Sequence, residues 1–279
     1  MIHVARLIQR MQYLLLGLVC CAPLSLSAAG TVFTVQPLLE QTAMLKIYNP
    51  LATFLAKAGQ LPIELRMAFD FPDYWFRLKD GKEFDIVFDG PFYTDYLIQT
   101  HGFIPLVKVP GTVSFSLIAR SSDGFFDASE LIGKRIATLT PPAPTTLFVS
   151  RLFTNPSRQP KIVAARSSEA AVELLLAGKV SAAMVPTPLA AKAMADNPTL
   201  ATVLVTEHIP HMAISVSPRV DAATRKNIQQ ALVNAKNTPE GQLLLKQLGF
   251  PEGFEITSAD VFKGYGKELK ETWGITAAR

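Results

Sequence analysis

Short apolar segments that end in polar turns alternate along the chain with segments whose apolar residues recur at helical spacing. The clearest apolar segment is residues 84–88, which carries one carboxylate and ends at Asp89-Gly90-Pro91. This pattern predicts a buried strand of a parallel sheet. Ligands of open α/β sheets bind beyond the carboxyl ends of the strands, so Asp89 and Gly90 are candidate ligand-binding residues.

Two further strands are predicted before this one. Residues 32–35 end at Gln36, and residues 63–69 end at Asp70-Phe71. Alternation of strands with helices predicts a parallel sheet with right-handed crossovers. Because the carboxyl ends of parallel strands share one edge, we expect Gln36, Asp70 and Phe71 beside the strand end described above.

The helices between these strands have recognisable ends. Apolar residues at helical spacing between Ile47 and Leu55 are followed by Gly59, a typical helix stop. A second helix is predicted over residues 74–79, with Asp73 as its N-cap.

The middle of the chain repeats this organisation. Gly178-Lys179 and Pro188 lie in register with Gly81-Lys82 and Pro91 when the two units are laid over each other. The agreement predicts two similar α/β halves. The predicted strands of the second unit are followed by polar loops that contain the candidate residues Thr140, Thr145, Thr146, Ser167, Ser168 and Thr187.

Two apolar segments, residues 112–120 and 203–217, are candidates for crossings between two lobes. We therefore predict an α/β protein with two lobes, each a mostly parallel sheet flanked by helices, joined by two hinge crossings. Residues 30–115 and 210–279 are assigned to lobe 1, and residues 116–209 to lobe 2. The helical pair at residues 221–248 is expected to pack on lobe 1.

Residues 1–29 have the features of a secretory signal: basic residues, an uncharged apolar stretch and small residues at a cleavage site. We interpret them as a cleavable signal peptide of an exported protein; the alternative is an uncleaved anchor. Both cysteines, Cys20 and Cys21, lie in this leader, and lipidation there is left open. The remaining chain has no thiol for a disulfide or a thiolate metal site.

Removing Arg6 and Arg10 with the leader leaves 25 of the 27 basic residues against 23 acidic ones. These charges are scattered, which argues against nucleic acid as a partner.

The sequence contains none of the common hydrolase, zinc-protease, P-loop or dinucleotide motifs, so we expect no enzyme, no cofactor and no metal site. His208 and His211 would point to opposite faces of a strand; His211 is the better candidate for ligand contact.

Hydroxyl residues open two helices of the second unit. Thr145 and Thr146, and likewise Ser167 and Ser168, would offer hydroxyls and free backbone N–H groups to an anion. The alternative is that they are ordinary N-caps. Two such helix starts that face one cleft favour anion recognition.

Aromatic and acidic residues surround the first strand ends. Asp89 is a candidate partner for a cationic group or a ligand hydroxyl. Phe71 with one tyrosine, Tyr74 or Tyr93, would form an apolar wall for a small molecule; the alternative is that these aromatics, Phe92 or Tyr93 above all, belong to the core.

Several segments resemble the periplasmic substrate-binding proteins of phosphonate and phosphite uptake systems, which have the type II binding-protein fold. The resemblance rests on Gly81-Lys82-Glu83-Phe84-Asp85-Ile86, Gly90-Pro91-Phe92-Tyr93, Gly133-Lys134-Arg135-Ile136, His208-Ile209-Pro210 and Leu248-Gly249-Phe250. It implies a monomeric two-lobed receptor that closes on a small oxyanion-bearing ligand and delivers it to the permease of an ABC transporter. The alternatives are a ligand-sensing receptor for a membrane signalling protein and an enzyme on the same scaffold, with Asp89 or His211 as the base.

The chain departs from this family at ligand-contacting positions. Phe71 and Asp89 stand where phosphonate-binding members have tyrosines, Ser167 where they have histidine, and Pro188 where they have an acidic residue. A proline-rich loop at residues 141–144 replaces a Ser-Thr-Ser-Gly anion loop. The resemblance therefore predicts the fold and the receptor role, with Asp89 as a source of altered ligand specificity.

Overall fold

The computed structural model describes residues 30–273, except the side chains of residues 270, 272 and 273. The predicted signal peptide at residues 1–29 and the end of the chain after Trp273 lie outside the described residues.

The strands, in chain order, are β1 (Thr31–Val35), β2 (Ile63–Leu65), β3 (Ile86–Asp89), β4 (Ile104–Lys108), β5 (Thr112–Val113), β6 (Phe115–Arg120), β7 (Arg135–Leu139), β8 (Lys161–Ala165), β9 (Ala182–Pro186), β10 (Leu200–Val205), β11 (Ile209–Pro210), β12 (Ala213–Val216) and β13 (Glu255–Ile256). The α-helices are α1 (Gln41–Gly59), α2 (Phe71–Leu78), α3 (Pro91–His101), α4 (Pro144–Leu152), α5 (Ser168–Leu176), α6 (Thr187–Asp196), α7 (Ala222–Asn234), α8 (Pro239–Leu248) and α9 (Gly266–Trp273).

These strands form two large sheets, which define the two lobes. Lobe 1 contains a six-stranded sheet in the order β13-β4-β12-β3-β1-β2, and lobe 2 a five-stranded sheet in the order β10-β6-β9-β7-β8. The pairings make four of the six strands, and four of the five, run in one direction. The predicted two-lobed α/β fold with mostly parallel sheets is confirmed.

The two sheets repeat one topology. The order β2-β1-β3-β12-β4 in lobe 1 corresponds to β8-β7-β9-β6-β10 in lobe 2, with the central strand parallel to one neighbour and antiparallel to the other. Gly81 and Gly178 precede the two central strands, and both have left-handed backbones with φ of 63° and 68°. Only glycine adopts this conformation without steric cost, which explains why these residues recur in register.

The chain passes between the sheets through β5 and β11, which pair with each other in antiparallel orientation. Next to this pair, the Thr112 Oγ1 and His208 Nδ1 atoms are 2.9 Å apart. The pair forms the two hinge crossings, while the lobe boundaries given above stay a prediction.

Two helix ends differ from the prediction. The left-handed residue that ends α1 is Gln60, with φ of 53°, and Gly59 is the last helical residue. A Cβ atom on Gly59 would lie 3.3 Å from the side chains of Thr224 and Ile228. Gly59 therefore lies at the close approach of α7 to α1, where a larger residue would require these side chains to shift, and the left-handed residue at the helix end is Gln60.

The N-cap of α2 is Asp70 and not Asp73. The Asp73 backbone N–H donates to Asp70 Oδ1 at 2.9 Å, and the Asp73 carboxylate accepts from the Phe69 N–H at 2.8 Å. The helix begins at Phe71 because Pro72 lacks an N–H group and is tolerated only in the first turn. Strand β2 ends at Leu65, four residues short of the prediction.

The largest apolar cluster extends from one lobe into the other. It joins Tyr74 and Tyr93 of lobe 1 to Leu139 and Phe148 of lobe 2. Helices α7 and α8 pack against lobe 1, as expected for the helical pair. Across residues 30–273, no helix has both the length and the apolar character needed to cross a membrane.

Candidate functional site

A cleft of about 450 Å³ opens where the carboxyl ends of the two sheets face each other. One wall comes from the segments that follow β1 and precede α2 in lobe 1. The other wall comes from the ends of β7 and β8 in lobe 2. The lining residues are Pro37, Leu39, Glu40, Gln41, Phe69, Asp70, Phe71, Leu139, Thr140, Ala164, Ala165 and Arg166.

Three of the residues predicted from the sequence line this cleft: Asp70, Phe71 and Thr140. Asp70 is partly exposed, although one of its carboxylate oxygens caps α2. The Phe71 side chain is only 2% exposed, so it forms the floor of the cleft. Thr140 directly follows β7 and lines the same cleft as Asp70 and Phe71 from the side of lobe 2.

Asp89 is not among the lining residues, because its side chain is completely buried inside lobe 1. Its Oδ2 atom accepts a hydrogen bond from the Tyr74 hydroxyl at 2.9 Å, and its Oδ1 atom accepts one from Thr94 Oγ1 at 2.7 Å. Burial raises the pKa of Asp89 to about 7, and these two hydrogen bonds oppose the rise. The carboxylate therefore uses its acceptors within the lobe, and ligand contact by Asp89 stays a prediction.

Aromatic rings close the inner end of the cleft. The Phe71 and Tyr93 rings are stacked with centroids 6.2 Å apart, and the Tyr74 ring meets the Tyr93 ring edge-on at 5.2 Å. The Tyr93 hydroxyl donates to the backbone oxygen of Pro142, in the proline-rich loop of lobe 2, at 2.8 Å. The two lobes are thus in direct contact behind the cleft.

The start of α4 lies beneath this contact. Pro144, its first residue, has no backbone N–H to offer to an anion. The Thr146 hydroxyl donates to the Leu139 backbone oxygen at 2.8 Å. The Thr145 hydroxyl is buried and has no hydrogen-bond partner among the described residues.

The start of α5 is nearer to the cleft. Ser167 Oγ accepts from the Ala170 N–H at 3.1 Å, so Ser167 is the N-cap of this helix. Ser168 is 8% exposed. The residue immediately before them, Arg166, lines the cleft.

The remaining predicted residues support the site from outside the lining. Gln36 Oε1 accepts from the Gly90 N–H at 3.1 Å and so joins the loops after β1 and β3. Thr187 Oγ1 lies 2.9 Å from Ser114 Oγ and 3.0 Å from Ser116 Oγ, beside the hinge crossings.

His211 packs within lobe 1, edge-on to the Phe250 ring at a centroid distance of 5.5 Å. Its Nδ1 atom accepts from the backbone N–H of Met212 at 2.8 Å. Burial lowers the pKa of His211 to about 4, and the positive charge of Lys108 adds to the effect. The ring is therefore neutral near pH 7.

Sequence reasoning missed Arg166, Glu40 and Phe69. The Arg166 Nη1 and Glu40 Oε1 atoms are 4.0 Å apart, which forms an ion pair between the lobes at the cleft. Phe69 is 78% exposed beside it. Arg166 directly follows β8, so its place at a strand end is the signal in the sequence that points to it, beside the serines that cap the next helix.

A comparison with protein-family models matches residues 33–262 to the periplasmic substrate-binding proteins of phosphonate ABC transporters. The chain belongs to this family. A comparison with curated protein sequences found no match. The prediction of the family from sequence is confirmed, and with it the general role of substrate binding.

Solved structures share the fold at low sequence identity. PhnD1 from Prochlorococcus marinus, in complex with methylphosphonate, is 12% identical with a TM-score of 0.74, over 88% of this chain and 98% of that one. A Xanthomonas citri protein bound to ATP is 13% identical with a TM-score of 0.70, over 87% and 98%. A binding-protein component of an ABC phosphonate transporter from Pseudomonas aeruginosa is 14% identical with a TM-score of 0.66, over 83% and 82%.

Proposed function

We propose that the protein is a periplasmic solute-binding protein that closes on a small oxyanion-bearing ligand and delivers it to the permease of an ABC transporter. The observation that carries the proposal is the cleft between the lobes, to which both lobes contribute and whose lining includes Arg166. The family supports the same role. Residues 1–29 would be removed on export, and the remaining chain would act as a monomer.

Ligand binding would be coupled to hinge closure about β5 and β11. In this proposal, residues 30–115 and 210–279 move as lobe 1 and residues 116–209 as lobe 2. The Glu40–Arg166 ion pair and the Tyr93–Pro142 hydrogen bond both join the lobes, so they would break on opening.

The family and the fold are those of transport proteins and not of enzymes. An enzyme on this scaffold would need a base in the cleft. Asp89 is buried with both carboxylate oxygens hydrogen-bonded, and His211 does not line the cleft. These placements argue against Asp89 and His211, the two bases predicted from the sequence.

The test begins with native mass spectrometry of the protein expressed with its leader in a bacterial periplasm. We expect loss of the leader mass and a co-purified small molecule that is released unchanged on unfolding. Adding that molecule to stripped protein should raise the melting temperature, because it binds only the folded state, and should reduce the radius of gyration in small-angle scattering. A chemically altered molecule would favour the enzyme alternative, and cytoplasmic retention would contradict the proposal.

Transport and signalling are separated by genetics. Deleting the gene should abolish uptake of the identified ligand if the partner is a permease. Unchanged uptake with a lost transcriptional response would favour the sensing receptor.

A further inference from the structure

The inner end of the cleft has no space for an anion in this conformation. The Tyr93 hydroxyl and the Pro142 carbonyl oxygen are paired there, and the Phe71 ring is stacked on Tyr93. Behind them, α4 starts with Pro144, which supplies no N–H. The available volume therefore lies in the outer part of the cleft.

The outer part of the cleft is largely apolar. Seven of the twelve residues that line the cleft as a whole are apolar, from both lobes: Pro37, Leu39, Phe69, Phe71, Leu139, Ala164 and Ala165. At about 450 Å³ it falls within the usual size range of sites for organic ligands. A bare oxyanion would leave most of these walls in contact with water, whereas an apolar group would displace that water.

Arg166 is the one cationic side chain among the described residues that line the cleft. Its contact with Glu40 is long, at 4.0 Å, and the two side chains are 87% and 58% exposed. Exposed ion pairs of this kind contribute little to stability. A ligand oxyanion that forms two parallel hydrogen bonds with the guanidinium would therefore replace Glu40 at small cost.

We propose that Arg166 is the anion-binding residue of this site and that the ligand is an organic oxyanion whose apolar body lies against Phe69 and Phe71. This rests on the function proposed above and names the class of its ligand. Anions with no larger body than a methyl group would bind weakly, because they cannot use the apolar walls while paired with Arg166.

Phenylphosphonate and methylphosphonate are suitable probes because they share one head group and differ only in the apolar body. Isothermal titration of the wild-type protein at low ionic strength should give at least a tenfold lower Kd for phenylphosphonate. Arg166→Gln should raise that Kd at least tenfold, and Arg166→Lys should raise it less because the charge remains. Glu40→Gln should lower the Kd, since the competing carboxylate is removed.

Two controls separate the site from general effects. Arg158→Gln removes an exposed arginine of the same lobe that does not line the cleft, and it should leave both Kd values within twofold of wild type. Phe69→Ala should weaken phenylphosphonate binding and leave methylphosphonate binding unchanged. Thermal unfolding of every variant checks that it is folded, which the exposure of Arg166, Glu40 and Phe69 favours.

Three results would overturn the inference: equal or tighter binding of methylphosphonate, unchanged phenylphosphonate binding in Arg166→Gln, or no binding of phenylphosphonate to the wild type. Tight methylphosphonate binding that survives Arg166→Gln would leave the proposed receptor function intact and refute only the ligand class. Failure of the proposed function would be seen separately, as the absence of any co-purified ligand or export.

Discussion

Asp89 and His211 should make opposite contributions to the pH dependence of stability. The pKa of buried Asp89 is raised from 3.8 to about 7, so the folded state binds more protons than the unfolded state between these values, and stability falls as the pH rises through this range. The pKa of His211 is lowered from 6.5 to about 4, so the unfolded state binds more protons, and stability falls as the pH drops below 6.5.

The two effects have similar size. Integrating the proton linkage from about pH 8 to about pH 5 gives a gain of about 2.5 kcal/mol from Asp89 and a loss of about 2 kcal/mol from His211. The wild-type protein should therefore show little net change from this pair. The free energy of unfolding of Asp89→Asn should be about 2 kcal/mol lower at about pH 5 than at about pH 8, because only the His211 effect remains in this variant. The free energy of unfolding of His211→Asn should be higher at about pH 5 than at about pH 8 by a similar amount, because only the Asp89 effect remains.

Urea unfolding at about pH 5, about pH 6.5 and about pH 8 measures these differences, with tryptophan fluorescence and circular dichroism required to give coincident transitions. The exposed Asp80→Asn change is the control, and its pH profile should follow that of the wild type. An Asp89→Asn profile parallel to the wild-type profile would refute the raised pKa of Asp89. A parallel His211→Asn profile would refute the neutral, buried histidine.

Two paired substitutions test contacts of the cleft. Tyr93→Phe removes the hydroxyl that donates to Pro142 across the lobes, whereas Tyr96→Phe removes one that donates to Lys79 within lobe 1. Both variants should lower the free energy of unfolding by about 1 kcal/mol. Only Tyr93→Phe should increase the radius of gyration of the ligand-free protein in small-angle scattering. Equal radii would show that the hydroxyl does not hold the lobes together. Thr145→Val should stabilise the protein by about 1 kcal/mol, because the buried Thr145 hydroxyl has no hydrogen-bond partner among the described residues. Thr146→Val should destabilise the protein by about 1 kcal/mol, because the hydrogen bond from the Thr146 hydroxyl to the Leu139 backbone oxygen is lost. A loss of ligand affinity in Thr145→Val would instead support the anion-binding role predicted from the sequence.

The strands and the repeat were predictable because their signals are local. A buried strand such as β3 is a continuous apolar run, and Gly81 and Gly178 are required by left-handed backbones at equivalent points of the two lobes. The start of α2 was misplaced because two aspartates compete for one cap. Pro72 decides between them, since a proline fits the first turn of a helix and thereby makes Asp70 the N-cap.

The composition of the cleft was less predictable because it depends on which strand ends reach across to the other lobe. Asp89 is the last residue of β3 and Arg166 directly follows β8, yet Asp89 turns inward and Arg166 reaches Glu40. The difference lies in the neighbours. Tyr74 and Thr94 provide two hydroxyl donors inside lobe 1, and a buried carboxylate is stabilised by such donors.

This difference changes how Asp89 would affect specificity. With both oxygens hydrogen-bonded, Asp89 fixes the Tyr74 ring, which meets Tyr93 edge-on, and Tyr93 in turn holds the Pro142 loop of lobe 2. Asp89 is thus connected through Tyr74 and Tyr93 to the contact between the lobes at Pro142. We therefore expect Asp89 to act on ligand choice through the space that it closes, and the charge that contacts the ligand to be that of Arg166.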